Sequence, residues 1–155
     1  MGIESATRAH ERRRSLSFDS LSDVNWLAII VGTIIYMVLG FLWYGPLFGK
    51  AFIAATGYSP PEEGQDPGPA IYAAPGIAYL IMSIATAMLA EATGSTTVGE
   101  GVVLGLVLGV GFAVTLTLVS STFSQGLPSP WALTLITGSY NLVALVIVAV
   151  LVSAW

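Results

Sequence analysis

The sequence predicts an all-α integral membrane protein, a bundle of four transmembrane helices. Three observations predict it. The first is the scarcity of charge: 155 residues include five Lys or Arg and nine Asp or Glu, 9% of the chain, against 55% hydrophobic residues. A soluble domain uses about 25% charged residues, and a fold this poor in charge cannot cover a water-facing surface. The second is a mean hydropathy of +0.82. The third is where the charges fall. Most lie before Val24; the others are Lys50, Glu62, Glu63, Asp66, Glu91 and Glu100, and none follows Glu100. The intervals they leave open have room for four membrane-crossing helices.

The segment from Met1 to Asp23 is polar and contains Arg8, Arg12, Arg13 and Arg14. It reads as a cytoplasmic tail, residues 1–23, ahead of a single transmembrane domain, residues 24–155. The first span is expected at about Trp26–Tyr44. Ser22, Asp23 and Asn25 before it are good helix-start residues, because their side chains accept bonds from free backbone N–H groups. Trp26 at one end and Trp43-Tyr44 at the other mark the headgroup boundaries, where an amphipathic ring is best placed. Gly45-Pro46 then stops the helix.

A loop over residues 47–69 follows. Leu47 to Ile53 suits a short helix in the interface plane. Ser59 to Pro69 is rich in Pro, Gly and acid and should be solvated. The second span is expected at about Ala70–Ala90, with Pro75 in its first turns, then Glu91 and a polar turn. The remaining uncharged run is too long for one helix. The turn residues of Ser124 to Pro130 divide it into a third span, about Gly101–Phe123, and a fourth, about Trp131–Trp155. Lipid-exposed backbone must satisfy its own polar groups, so these runs are helical. The arginine bias places the N-terminus in the cytoplasm, four spans return the C-terminus there, and loop 47–69 is external. The expected location is the cell membrane.

The same composition limits the chemistry. There is no cysteine and one histidine, His10, which argues against thiol chemistry and a converging metal site. No G-x-S-x-G, phosphate loop or H-E-x-x-H is present. Charged residues sit only at span ends, which argues against proton-coupled transport. The expectation is a protein that is not an enzyme, holds no cofactor or metal, and binds no nucleic acid.

The sharpest motif is Gly101-x-x-x-Gly105-x-x-x-Gly109. Spacing by four puts the glycines on one helical stripe, where another backbone can approach closely. This stripe serves either helix packing within the bundle or a subunit interface; Ala74, Ala78, Ser83 and Ala87 offer a complementary face on the second span. Trp26, Trp43, Tyr44, Lys50, Trp131 and Trp155 are expected as membrane-interface anchors. Thr137, Tyr140 and Asn141 are candidate polar contacts within the membrane, bonding to a neighbouring helix. The expected role is a non-enzymatic membrane protein whose partners are the lipid bilayer and either further copies of itself or another membrane protein. The alternative is a small oligomeric transporter or pore for an ion or small solute, lined by Thr and Ser faces.

Two stretches carry a family resemblance. Asn25-Trp26-Leu27-Ala28-Ile29, followed by Trp43-Tyr44-Gly45-Pro46-Leu47-Phe48-Gly49-Lys50, resembles the opening of the prokaryotic membrane family called domain of unknown function 1761. Gly138-Ser139-Tyr140-Asn141-Leu142-Val143 onward is similar to that family's last helix. The resemblance spans Asn25 to Trp155. It implies a four-helix integral membrane protein and supplies no activity.

Overall fold

The computed structural model describes residues 18–59 and 68–155. The arginines of the expected tail and most of the Pro-rich acidic stretch lie outside the described residues. A 3-10 turn at Phe18–Ser22 leads into α1, Trp26–Leu42, which continues through a π-helical turn, Trp43–Leu47. Then come α2, Gly49–Thr56, and α3, Ala70–Thr93. The third span is α4, Val98–Leu108, a π-helical stretch, Gly109–Val114, and α5, Thr115–Phe123. The chain finishes with α6, Pro130–Ala154. Four helical runs are long and apolar enough to cross a membrane: Trp26–Leu47, Ile71–Thr93, Val98–Phe123 and Pro130–Ala154.

Local chemistry sets the boundaries. Asn25 caps α1: its side-chain oxygen accepts from the backbone N–H groups of Leu27 at 3.0 Å and Ala28 at 3.1 Å. The third span starts three residues before the sequence reading placed it, because Thr97 and Glu100 form a reciprocal cap. Thr97 Oγ1 accepts from the Glu100 N–H at 3.3 Å, and a Glu100 carboxylate oxygen accepts from the N–H groups of Thr96 at 2.9 Å and Thr97 at 3.1 Å. Two orphan donors of the helix start are thereby satisfied. α3 runs past Ala90 to Thr93 and closes on Gly94, whose φ of 68° suits a residue without a Cβ. Pro130 opens α6 at a position where its missing N–H costs nothing.

The bundle is organised around α6. That helix packs on α1, α2, α3 and the whole third span, and α1 packs on α3. The core follows from this centre: Tyr36, Tyr140, Ala144, Leu145 and Val148 form one buried cluster, and Val24, Ile29 and Ala87 a second. The third span differs from the others. Only 11% of its most apolar window is buried, against 39% for α6. α4 and α5 pack chiefly on α6, and two apolar hollows lie along their side toward α3.

Candidate functional site

The residues that carry the family resemblance build a corner at the far end of α1. Pro46 has no N–H to give the carbonyl one turn behind it, so the helix widens. The Phe48 N–H reaches the Trp43 carbonyl at 2.8 Å, closing a π-helical turn. The chain then reverses into α2. The Trp43 ring packs on Phe48, with centroids 4.9 Å apart, and the Tyr44 ring meets Phe52 edge-on, also at 4.9 Å. Gly49 makes the close approach possible: a Cβ there would stand 2.7 Å from the Tyr44 carbonyl oxygen. Lys50 is exposed on the outer side of the corner.

The corner is pinned to α6. Trp43 Nε1 donates to the Ile136 carbonyl at 3.0 Å. The Tyr44 hydroxyl meets Thr137, and the Ser129 N–H donates to the Ala55 carbonyl at 3.1 Å. Trp43 and Tyr44, expected as interface anchors, are therefore half-buried and turned toward the bundle, both against the Tyr140 ring. Trp131 and Trp155 are exposed. Trp26 is half-exposed and donates from its indole nitrogen to the Leu21 carbonyl at 3.2 Å.

Tyr140 is the hub of the site. It is 1% exposed, and its hydroxyl donates to the Tyr36 carbonyl on α1 at 2.9 Å. Gly40 leaves the space for it, since a Cβ there would lie 3.2 Å from that hydroxyl. Tyr79 on α3 meets Tyr140 edge-on and stacks on Tyr36 with centroids 5.0 Å apart. One side chain thus ties α6 to α1, to α3 and to the corner. Its neighbour on α6, Asn141, is only half-buried. Beside the ring cluster, Tyr36 Oη and Ser83 Oγ are buried with no hydrogen-bond partner.

The glycine stripe faces α6 of the same chain. A Cβ on Gly101 would stand 2.6 Å from Val150 Cα, one on Gly105 2.5 Å from Val146 Cα, and one on Gly109 2.5 Å from Leu142 Cδ1. Each glycine meets a residue four further back along α6, as antiparallel packing at closest approach requires. Farther along, Ser121 Oγ and Thr134 Oγ1 share a buried hydrogen bond between α5 and α6.

The comparison that decides identity covers nearly all of this framework. A family described as "Protein of unknown function (DUF1761)" matches residues 27–153. The chain belongs to this family. No curated relative and no solved structure matches it. In this DUF1761 member the residues from Trp43 to Gly49 are the framework of a corner, held by Trp43, Tyr44, Phe48 and Gly49, while Gly45, Pro46 and Leu47 are exposed on its outside. The sequence placed Ser83 on a small-residue face of the second span and did not bring it or Tyr79 to this ring cluster. It also missed the Thr97–Glu100 cap, which had a readable signal, the T-x-x-E spacing before an apolar run.

Proposed function

We propose that the protein is a non-enzymatic component of the cell membrane that associates laterally, with a second copy of itself, through the exposed face of its third span. One observation carries the reading: α4 and α5 pack chiefly on α6 and leave apolar hollows toward α3. One hollow, of about 410 Å³, lies beside Thr93, Val103 and Val107, and another, of about 220 Å³, beside Met82, Leu108 and Phe112. Lipid tails are as apolar as these walls, so helices associate in a membrane through packing, and an unfilled cleft lacks dispersion partners. A helix from another copy would supply them. In this reading the chain performs no catalysis, takes no cofactor and contacts no nucleic acid.

The native chain has no cysteine, so engineered ones report cleanly. Val107→Cys and Phe112→Cys, both exposed on the third span, should give disulfide-linked dimers in oxidised native membranes. Val38→Cys, exposed on α1, should give far less. Monomer alone from all three, or equal crosslinking from both faces, would sink this reading.

We place both termini on the cytoplasmic side, on the strength of the four arginines before α1. Single cysteines at Ser59 and Thr96, both exposed, test it with an impermeant thiol reagent on intact cells. Ser59→Cys should label and Thr96→Cys should not; the reverse pattern inverts the topology.

A further inference from the structure

The bundle divides into two bodies that meet at one level of α6. The smaller body is the corner, α2, α5 and residues 130–137 of α6. Hydrogen bonds tie its parts to each other. Trp43 Nε1 donates to the Ile136 carbonyl, Tyr44 meets Thr137, the Ser129 N–H donates to the Ala55 carbonyl, and Ser121 bonds to Thr134. The larger body is α1, α3, α4 and the rest of α6, joined by the two buried clusters and the glycine stripe. Among the described residues α3 packs on α1, on α6 and on the turn before α1, and makes no more than marginal contact with α2, the corner or α5.

Three helical runs cross from one body to the other, and each is weakened where it crosses. α1 crosses at the π-helical turn Trp43–Leu47, where Pro46 has no N–H to give. The third span crosses at its own π-helical stretch, Gly109–Val114. Just after it, Thr115 Oγ1 donates to the Gly111 carbonyl at 2.8 Å and the Phe112 carbonyl at 3.0 Å, in competition with the backbone ladder. α6 crosses at Gly138-Ser139. Ser139 Oγ turns back to the Leu135 and Ile136 carbonyls, and the Ile136 carbonyl also accepts from the Trp43 indole. Widened turns and Gly/Ser pairs are where helices kink. The three crossings share one depth. Gly109 lies against Leu142, Val114 against Gly138, and Trp43 reaches Ile136, so all of them meet α6 within residues 136–142.

We propose that the smaller body rocks as one unit against the larger, on a hinge line formed by these three stretches. Domain motions are absorbed by a few residues whose dihedrals change while the parts on either side stay rigid. One weak turn bends one helix. Three at the same depth let a whole section of the bundle move with its internal bonds intact. The surroundings leave room for it. Nothing lies within 4 Å of a Cβ at Gly111, and the hollow of about 220 Å³ borders Phe112 and Leu116. On the α3 side Ile71, Tyr72 and Ile77 are exposed, so the first turns of that helix do not block the smaller body. The seam runs through Tyr140, whose ring meets Trp43 and Tyr44 on one side and Tyr79 on the other. Rocking therefore slides ring contacts and spares the hydrogen bonds within the smaller body. The device is internal to one copy and does not rest on the association proposed above.

The test is distance measurement between pairs of spin labels by pulsed electron resonance, on the full-length protein in lipid nanodiscs. Labelled protein is diluted into unlabelled protein, so that only distances within one copy are read. The labels go on Ile53→Cys, Ile81→Cys, Val103→Cys and Val119→Cys, all at exposed positions. The pair at 81 and 119 spans the hinge line and should give two distance populations. The pair at 81 and 103, within the larger body, and the pair at 53 and 119, within the smaller, should each give one narrow population. Gly111→Ala combined with Gly138→Ala stiffens two of the three crossings. A Cβ at Gly111 meets open space and one at Gly138 comes no closer than 3.7 Å to Val114, so the fold is kept, as circular dichroism checks. In that variant the pair at 81 and 119 should collapse to one population. A pair at 81 and 119 as narrow as the other two in the parent overturns the proposal. So does a pair at 53 and 119 as broad as the one across the hinge, since the parts would then move separately. Two populations that persist unchanged in the double alanine variant overturn it as well.

Discussion

Replacing Gly105 with leucine is expected to unfold the third span from the bundle. The stripe brings α4 so close to α6 that a Cβ at Gly105 would stand 2.5 Å from Val146 Cα and 3.1 Å from the Leu145 carbonyl oxygen. Carbon pairs rest at about 3.5–4.0 Å, so the helices must part by about 1 Å even for alanine. These are backbone atoms, and no rotamer change moves them aside. Parting the helices at Gly105 also separates Gly101 from Val150 and Gly109 from Leu142, so the loss spreads along the interface. Alanine gains up to about 1 kcal/mol over glycine in helix propensity. Overpacking costs about 1–3 kcal/mol, so Gly105→Ala should destabilise on balance. Leucine adds three further heavy atoms with no room for them, and the cost should approach the roughly 5–15 kcal/mol that holds a whole domain together. Denaturant titration in micelles, followed by tryptophan fluorescence, measures both variants. Gly111→Ala is the control: nothing lies within 4 Å of its Cβ position, so stability should hold or rise. A Gly105→Leu protein as stable as the parent would show that the stripe does not pack as described.

The same stripe shows how far the sequence can be read. Four spans were legible because the uncharged intervals are long and the turn clusters dense, and their ends fall within a few residues of those expected. The stripe was legible as a place of close approach, but not its partner. Core and lipid are equally apolar, so the outward faces of all four spans look like inward ones, and nothing in the composition marks α6 as the central helix. The π-helical stretch at Gly109–Val114 had a signal that is clear in retrospect. Small or polar residues recur every fourth position through Gly101, Gly105, Gly109, Ala113, Thr117 and Ser121. At 3.6 residues per turn such a row drifts by about 40° per step and would leave the α6 face. A widened turn takes up the excess, and Ser121 is again buried against Thr134.

The corner illustrates the opposite limit. Trp43, Tyr44, Pro46 and Lys50 were legible as the exit of a membrane helix, and an outward anchoring role followed from the usual habit of interfacial aromatics. The inward turn of Trp43 and Tyr44 depends on partners nearly a hundred residues away, at Ile136, Thr137 and Tyr140. No local pattern encodes such a contact. The ring stack of Tyr36 and Tyr79 has the same cause: each residue looks like any tyrosine in a span until the helices are placed side by side.

Tyr140→Ala is expected to be the most damaging side-chain truncation in the molecule. The ring touches Trp43, Tyr44 and Tyr79, so its loss opens a cavity where α1, α3, α6 and the corner meet. Removing a buried aromatic costs about 3–5 kcal/mol, and here the contacts between helices go with it. Tyr140→Phe dissects the effect. It keeps the ring and removes the hydroxyl that donates to the Tyr36 carbonyl. That carbonyl keeps a donor within its own helix, so the loss should be small, about 0.6 kcal/mol and at most about 1.7 kcal/mol, the range for such bonds in membranes. Tyr36→Phe provides the contrast. Its hydroxyl is buried without a partner, so removing it should leave stability unchanged or raise it, by up to about 1–3 kcal/mol. The expected order, from least to most stable, is Tyr140→Ala, Tyr140→Phe, parent, then Tyr36→Phe level with or above the parent. Denaturant midpoints in micelles give this order directly. A Tyr36→Phe loss as large as that of Tyr140→Phe would mean that the Tyr36 hydroxyl is bonded after all.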